Sequence, residues 1–299
     1  AGLAHAPKFL SESLAQAQGA ASRAVTVLSQ PYLMTSGVIS VVDEDKCVAC
    51  LTCVRACPFG VPKFGDRNAV FIEPAACQGC GICASVCPTG AMRYAYPHAG
   101  DTAERVRLML HSYLEAGGSD PVVMFVAASD AVGLPPTPAN VLLIVVEELA
   151  SVGHELWLAA IAWGARCLLL ADGGSVPGKA RRALDEQIGY CQQMLRGLGY
   201  QGAILQTIDA RASDGSCAAV ADLPAPARFT ATGDKRQLAA LGLAHLWQAS
   251  PERPESFALA SGAPYGRVQV DGEKCTLCMS CTSVCPARAL SAGDETPRL

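Results

Sequence analysis

Between residues 47 and 88 the chain writes one cysteine pattern twice, as Cys47-x-x-Cys50-x-x-Cys53-x-x-x-Cys57-Pro58 and Cys77-x-x-Cys80-x-x-Cys83-x-x-x-Cys87-Pro88. Nothing else in the sequence limits the fold so severely. Three cysteines at this spacing on a tight loop aim three thiolates at three irons of one cubane. The fourth, on the turn of helix that follows, points away and reaches a neighbouring cluster. Crossed ligation follows from this: Cys47, Cys50, Cys53 and Cys87 hold one [4Fe–4S] cluster, and Cys77, Cys80, Cys83 and Cys57 hold a second. Pro58 and Pro88 cannot continue a helical hydrogen-bond ladder, so they fix the chain direction after each fourth cysteine. Gly79 and Gly81 leave room for backbone amides to approach the sulfides, and such hydrogen bonds help to set the potential. Zinc sites rarely use four cysteines in this order, and a disulfide framework leaves the two prolines unexplained.

The same spacing returns near the end of the chain as Cys275-x-x-Cys278-x-x-Cys281-x-x-x-Cys285-Pro286. Cys275, Cys278 and Cys281 are therefore expected to hold a third [4Fe–4S] cluster, while Cys285 points away. Either a further cysteine run beyond Leu299 takes Cys285 into a fourth cluster, or Cys285 folds back and completes the third. The doubled run resembles that of bacterial dicluster ferredoxins, and the last run resembles the first half of one. That resemblance implies a small α+β sandwich with lead-in strands at Val38–Val42 and Ala69–Ile72 and a return strand at Arg93–Tyr96. So short a domain has little core of its own, and its clusters supply much of its folding energy.

A formal charge of −4 with no basic block argues against nucleic acid as the main partner. Twelve of the 15 cysteines fall in the cluster runs, which need thiolates and hence a reducing compartment or protected assembly. The longest apolar stretch, Leu156 to Ala171, contains Arg166 and is too short to span a bilayer. No secretory leader stands at the start. The reading is cytoplasmic, with peripheral attachment to a membrane complex through other subunits left open. A chain that begins at Ala1 inside a helical lead-in and stops just after a cysteine run reads as a segment of a longer or processed polypeptide.

Between the cysteine runs the texture changes. Residues 101–116, from Asp101 through Arg105, Leu108 and Leu110 to Glu115, read as an amphipathic helix stopped by Gly117-Gly118. Val122–Val126, Val141–Val146 and Cys167–Ala171 are continuous apolar strands, and Ile204–Thr207 is a fourth candidate. Helical patterns at Glu155–Trp163 and Lys179–Leu198 alternate with them, which implies a parallel α/β sheet covered on both faces. Asp172-Gly173-Gly174 closes one strand, where the switch-point rule allows a polar ligand. Glu147, Glu148 and His154 offer a carboxylate–imidazole site, although a solvated loop explains them as well. Asp234–Gln248 reads as another helix, broken by Pro251 and Pro254.

Two further resemblances carry the functional reading. Gly2 to Ala24, with the cluster runs behind it, looks like the end of the flavin domain in the A-subunit of heterodisulfide reductase and its relatives, where two ferredoxin motifs follow. No Gly-x-Gly-x-x-Gly phosphate loop is present, so the resemblance implies FAD bound mostly by missing sequence or a partner, with His5 and Lys8 at its edge. The middle block is similar to the delta subunit of methyl-viologen-reducing hydrogenase, whose strands end in cysteines that bind a [2Fe–2S] cluster. This sequence departs from that pattern: its strands end in Ala127-Ala128-Ser129-Asp130, Glu147-Glu148 and Asp172-Gly173-Gly174, and Cys167, Cys191 and Cys217 read as buried small hydrophobes or bystanders.

The resulting layout has a helical lead-in over 1–39, an α+β dicluster ferredoxin domain over 40–97 and a linker helix over 98–119. An α/β parallel-sheet domain without its [2Fe–2S] cysteines follows over 120–212, then a linker and helix over 213–265 and a C-terminal ferredoxin-like half-motif over 266–299. The function implied is electron relay through [4Fe–4S] clusters within a larger heterodisulfide reductase-like flavin and iron–sulfur oxidoreductase complex, with no catalytic centre visible in this chain. Flavin-containing and other redox subunits are the expected partners. The alternatives are the C-terminal part of a catalytic flavoenzyme, or an assembly and docking subunit with structural clusters.

Overall fold

The computed structural model describes residues 5–32, 38–65, 69–212, 214–217, 223–231, 234–266, 268–285 and 290. The chain divides into two units, Ala1–Ser36 and Gly37–Leu299. The first contains one helix, α1 (Leu10–Leu28), rich in alanine and other good helix formers. Its start is held by the Glu12 carboxylate, which accepts from the Phe9 N–H at 2.9 Å. None of its residues is buried.

The second unit begins with the double cysteine run. Strand β1 (Ser40–Val42) leads into a 3₁₀ turn at Glu44–Lys46, the first cysteine loop and helix α2 (Thr52–Ala56). Strands β2 (Lys63–Phe64) and β3 (Val70–Phe71) form a short antiparallel pair. A second 3₁₀ turn at Pro74–Ala76 introduces the second loop and helix α3 (Ile82–Ser85), and strand β4 (Met92–Tyr94) returns antiparallel to β1 with Val41 opposite Arg93. The β2–β3 pair has no clear hydrophobic period, which is why the sequence shows only its second half.

Helix α4 (Ala99–Glu115) then connects to four parallel strands: β5 (Val122–Ala127), β6 (Val141–Val146), β7 (Cys167–Asp172) and β8 (Leu205–Asp209), in the order β6-β5-β7-β8. Helices α5 (His154–Ala162) and α6 (Gly178–Gly197) form the two later crossovers, and α7 (Lys235–Gln248) follows the sheet. Alternate strand residues divide between two cores. Val123, Phe125, Leu168 and Leu170 pack with Val106 and Leu110 of α4, Trp157 of α5, Leu184 of α6 and Leu246 of α7. Val122, Met124, Val126, Leu169 and Ala171 face the other way, where the partners are loop residues such as Ala131, Leu134 and Cys217.

Among the described residues of Gly37–Leu299, one face of the sheet is covered by helices and the other by loops. The reason is topological. Right-handed crossovers running in opposite directions from β5 lie on opposite faces. The link from β5 to β6 contains Pro135, Pro136 and Pro138 and forms no helix, so only the face served by α5 and α6 is helical. That loop-covered face is tied by a disulfide between Cys167 and Cys217, with a Cα–Cα distance of 6.6 Å. These cysteines are thus neither bystanders nor separate small hydrophobes; a separation of 50 residues hid their pairing.

The stretch after the sheet, read as a linker, lies packed where it is described. Ala227 N–H donates to Ala162 O at 2.7 Å, and Trp163 Nε1 donates to Phe229 O at 3.0 Å. Helix α8 (Ser280–Val284) ends the third cysteine loop. Pro286, Ala289 and the terminal Pro297-Arg298-Leu299 lie outside the described residues, as does Gly2. Among the described residues no helix is long and apolar enough to cross a membrane.

Candidate metal centres

Each cysteine loop has the same backbone. The residues flanking the second cysteine stand in the left-handed region: Ala49 and Leu51 at φ 51° and 59°, Gly79 and Gly81 at 72° and 70°, Leu277 and Met279 at 54° and 58°. Alternation of this kind turns successive N–H groups inward and makes an anion-binding concavity of the type used by iron–sulfur sites. The 3₁₀ turns at Glu44–Lys46 and Pro74–Ala76 deliver Cys47 and Cys77 to the rims of the first two loops.

The fold brings Cys47, Cys50, Cys53 and Cys87 to the wall of one cavity, whose remaining lining includes Val42, Leu51, Val70 and Met92. Val70 N–H donates to Cys47 Sγ at 3.5 Å and Met92 N–H to Cys87 Sγ at 3.4 Å. Burial, then the neighbouring Cys87, Cys50 and Cys47, pushes the Cys53 thiol up to about 12. Burial likewise pushes Cys80 up to about 11, with Cys57 and Cys77 adding to the rise. Cys83 is pushed up to about 12 by burial, against a 3.0 Å hydrogen bond with Ser40 Oγ. Thiolates gathered in so apolar a setting repel one another and need a cation to hold them. An iron cluster would supply that charge, with each ligand giving up its proton on binding.

Among the described residues no three His, Cys, Asp or Glu side chains converge as they would around a single ion. A cubane makes a different demand, since it sets one thiolate on each of four irons and so spreads its ligands. Four cysteines around one cavity, with amide hydrogen bonds to sulfur and inward-turned loop amides, fit that group.

The third loop is more open. Cys278 is exposed and Cys275, Cys281 and Cys285 are half-buried. Hydrogen bonding with Ser280 holds the Cys278 thiol below its ordinary range. The other candidate residues are not gathered into a site. His154 is buried and hydrogen-bonds Gln187 and Tyr265, not Glu147 or Glu148. At the switch point, the carboxylate of Asp130 fills the crevice, accepting from Gly173 N–H at 3.0 Å and Ser175 Oγ at 2.7 Å, while Asp172 pairs with Arg181. Cys191 is wholly enclosed in α6, its thiol pushed up by burial. Lys8 Nζ lies 3.4 Å from His5 Nδ1 and donates to Gln16 Oε1 at 2.8 Å. Asp130 was missed in the sequence because a lone acid after an apolar strand carries no signal of the partner loop.

Comparison with known proteins places these loops in a class. Residues 46–91 match the family of 4Fe-4S dicluster domains, and residues 268–291 match the family of 4Fe-4S binding domains. The chain therefore carries ferredoxin-type 4Fe-4S domains towards both ends, with a four-stranded parallel sheet between them.

The particular likeness is to the A-subunit of heterodisulfide reductase. Over 72 residues the chain is 39% identical to the iron-sulfur A-subunit 2 of the CoB--CoM heterodisulfide reductase of Methanopyrus kandleri, covering 24% of this chain and 11% of that protein. Over 69 residues it is 39% identical to the A-subunit of the H(2):CoB-CoM heterodisulfide,ferredoxin reductase of Methanothermobacter marburgensis, covering 23% and 10%. A protein of Archaeoglobus profundus that is itself like the heterodisulfide reductase A-subunit is 39% identical over 59 residues, 20% of this chain and 8% of that one. The match thus spans about a tenth of the length of these curated relatives.

Proposed function

We propose that this chain relays electrons through [4Fe–4S] clusters within a larger, heterodisulfide reductase-like flavin and iron–sulfur oxidoreductase complex. The observation that carries the reading is the cavity walled by Cys47, Cys50, Cys53 and Cys87, three ligands from one loop and the fourth from the other. Cys77, Cys80, Cys83 and Cys57 form the second set, and Cys275, Cys278 and Cys281 the core of a third. Cys285 serves either a fourth cluster or the third. When bound, a cubane exchanges one electron, at a potential set by charge, hydrogen bonds and burial.

The protein's own part is to hold and tune. Val70 and Met92 amides steady the Cys47 and Cys87 sulfurs, and Ser40 steadies Cys83. The apolar wall of Val42, Leu51 and Val70 keeps water from the first site. The three relatives named above are subunits, or resemble subunits, of heterodisulfide reductases. Their likeness supports a multi-subunit redox complex as the setting, with any FAD bound mainly outside this chain.

An iron count with paramagnetic resonance on the reduced protein tests the reading. About twelve irons per chain are expected if three cubanes are filled. Cys80→Ala should remove one of them, about four irons, and stop electron flow from a reduced donor to the terminal acceptor. Full loading with clusters that cannot be reduced and reoxidised would instead favour the structural alternative.

A further inference from the structure

A cleft of about 590 Å³ opens between the cysteine loops and the parallel sheet. That volume lies within the range of roughly 300–1,000 Å³ typical of small-molecule sites, which favour such junctions between blocks. Strand β4 forms one wall through Met92, Arg93 and Tyr94, and the carboxyl end of β6 lies across from it. Met92 lines this cleft and also the cavity shared by Cys47, Cys50, Cys53 and Cys87. Its backbone N–H donates to Cys87 Sγ. Met92 therefore borders both the cleft and the first candidate cluster site. The second is close as well: Ala84, next to Cys83, lines the cleft, and Tyr94 Oη donates to Gly79 O in the second loop.

The lining chemistry is specific. Tyr96, Pro97, Val145 and Leu238 offer ring-sized apolar surface. Two of the lining cations are already engaged: Arg105 donates to Val145 O at 2.6 Å, and Lys235 holds Ala84 O and Ser85 O beside the second cysteine loop and pairs with Glu155 at 3.3 Å. On the cluster side Arg93 is exposed and its side chain makes no hydrogen bond or ion pair among the described residues, while Lys46 reaches Asp43 only at 3.9 Å. Asp101, Glu147, Glu155 and Asp234 also line the cleft. Arg93 and Lys46 are thus the lining Lys and Arg side chains that no short hydrogen bond or ion pair engages among the described residues.

We infer that this cleft binds a conjugated organic electron carrier of the quinone class, its anionic group towards Arg93 and Lys46 and its ring against Met92 and Tyr96. The inference rests on the reading of Cys47–Cys87 as cubane ligands. Each reduced cubane gives up one electron. The quinone takes two, one from each cubane, with two protons from water, and leaves as the hydroquinone while both cubanes return to the oxidised state.

Anthraquinone-2-sulfonate is the probe, used with the full iron-loaded chain in two separate measurements: calorimetric binding to the oxidised protein, and the rate at which it reoxidises protein reduced by dithionite. Gly100 lines the cleft, and a side chain added there meets nothing within 4 Å, so Gly100→Trp sets an indole at the cleft wall without a clash at its Cβ. Arg93→Glu reverses the charge at an exposed strand position. Saturable binding and saturable reoxidation are expected, with both abolished by Gly100→Trp and affinity reduced about tenfold by Arg93→Glu, at unchanged iron content. Uncharged benzoquinone should be indifferent to Arg93→Glu. Non-saturable binding, or affinity unaltered in both variants, overturns the inference. Reduced protein without cubane signals would overturn the relay reading instead, and binding to the oxidised chain would still be scored on its own.

Discussion

Ala49, Leu51, Leu277 and Met279 stand in the left-handed region although none is glycine, a placement that costs an L-residue roughly 1–2 kcal/mol. Only the second loop uses glycine at both positions, and crowding explains why. A Cβ on Gly79 would lie 2.5 Å from Val38 O; one on Gly81 would lie 2.5 Å from Ser151 Cβ and 2.4 Å from Tyr94 Oη. These glycines thus let the sheet block and β4 press against the loop, beyond leaving room for amides. Gly81→Ala should therefore cost on the order of 3 kcal/mol, combining backbone strain with overpacking. Gly117→Ala is the control, with φ 86° and open space around it, and should cost about 1 kcal/mol. Urea unfolding of the two variants checks the difference; equal losses would mean that the contact with Ser151 is unimportant. The strained alanine and leucines were invisible in the sequence, because no propensity marks an L-residue that a ligand loop forces across.

At the scale of elements, what repeats locally was legible and what pairs at a distance was not. The four parallel strands and helices α4 to α7 fall within a residue or two of where hydrophobic runs and periodicity put them, since burial of a strand or helix face writes itself into neighbouring positions. The segment from Pro251 to Tyr265 carried no such period, yet it packs along the C-terminal half of α6. Phe257 packs where Gly197 leaves space, Ala260 N–H donates to Gln193 Oε1 at 2.7 Å, and Tyr265 hydrogen-bonds His154. His154 also meets Gln187, with Glu155 and Lys235 the nearest charges, and burial holds its pKa below the ordinary 6.5. The folded state keeps it neutral while the unfolded chain takes up a proton near 6.5, so the unfolded state binds more protons below that value. Its contribution is present above 6.5 and is lost as pH falls from there towards the lower folded pKa. Replacing it by His154→Gln should flatten that fall, read as the change in urea midpoint between about pH 7.5 and about pH 5.5. An identical fall in the variant would assign the acid sensitivity elsewhere. The disulfide on the helix-free face gives a second test. Closing a segment of 50 residues contributes about 4 kcal/mol on the chain-entropy account, so Cys217→Ala should lose up to that amount while the cluster spectra stay unchanged.

Across the whole of Gly37–Leu299, stability is unevenly supplied. The sheet block owns a large apolar core to which α4, α5, α6 and α7 all contribute. The core around the cysteine loops is small, and Cys53, Cys83 and Cys87 are themselves members of it beside Val70, Ala91 and Met92. Remove iron and those members become buried thiols that repel or must stay protonated, with two-residue and three-residue strands as their only sheet support among the described residues. Ala56, Ile82 and Val86, however, belong to the large core, so α2 and α3 are anchored from the other side. Iron removal by a chelator under reducing conditions should therefore melt the loops without releasing these helices fully. Hydrogen exchange gives the readout: the amides of Val70, Met92 and Tyr94 should fall to within about tenfold of unprotected rates, while Val123, Phe125 and Leu168 change by less than about tenfold. Val86 should lie between them, because it caps a helix, α3, that the clusters and the sheet core hold jointly. Equal loss at all of these positions would show that the metal stabilises the unit as one cooperative block, and that the sheet core, despite its size, does not stand without it.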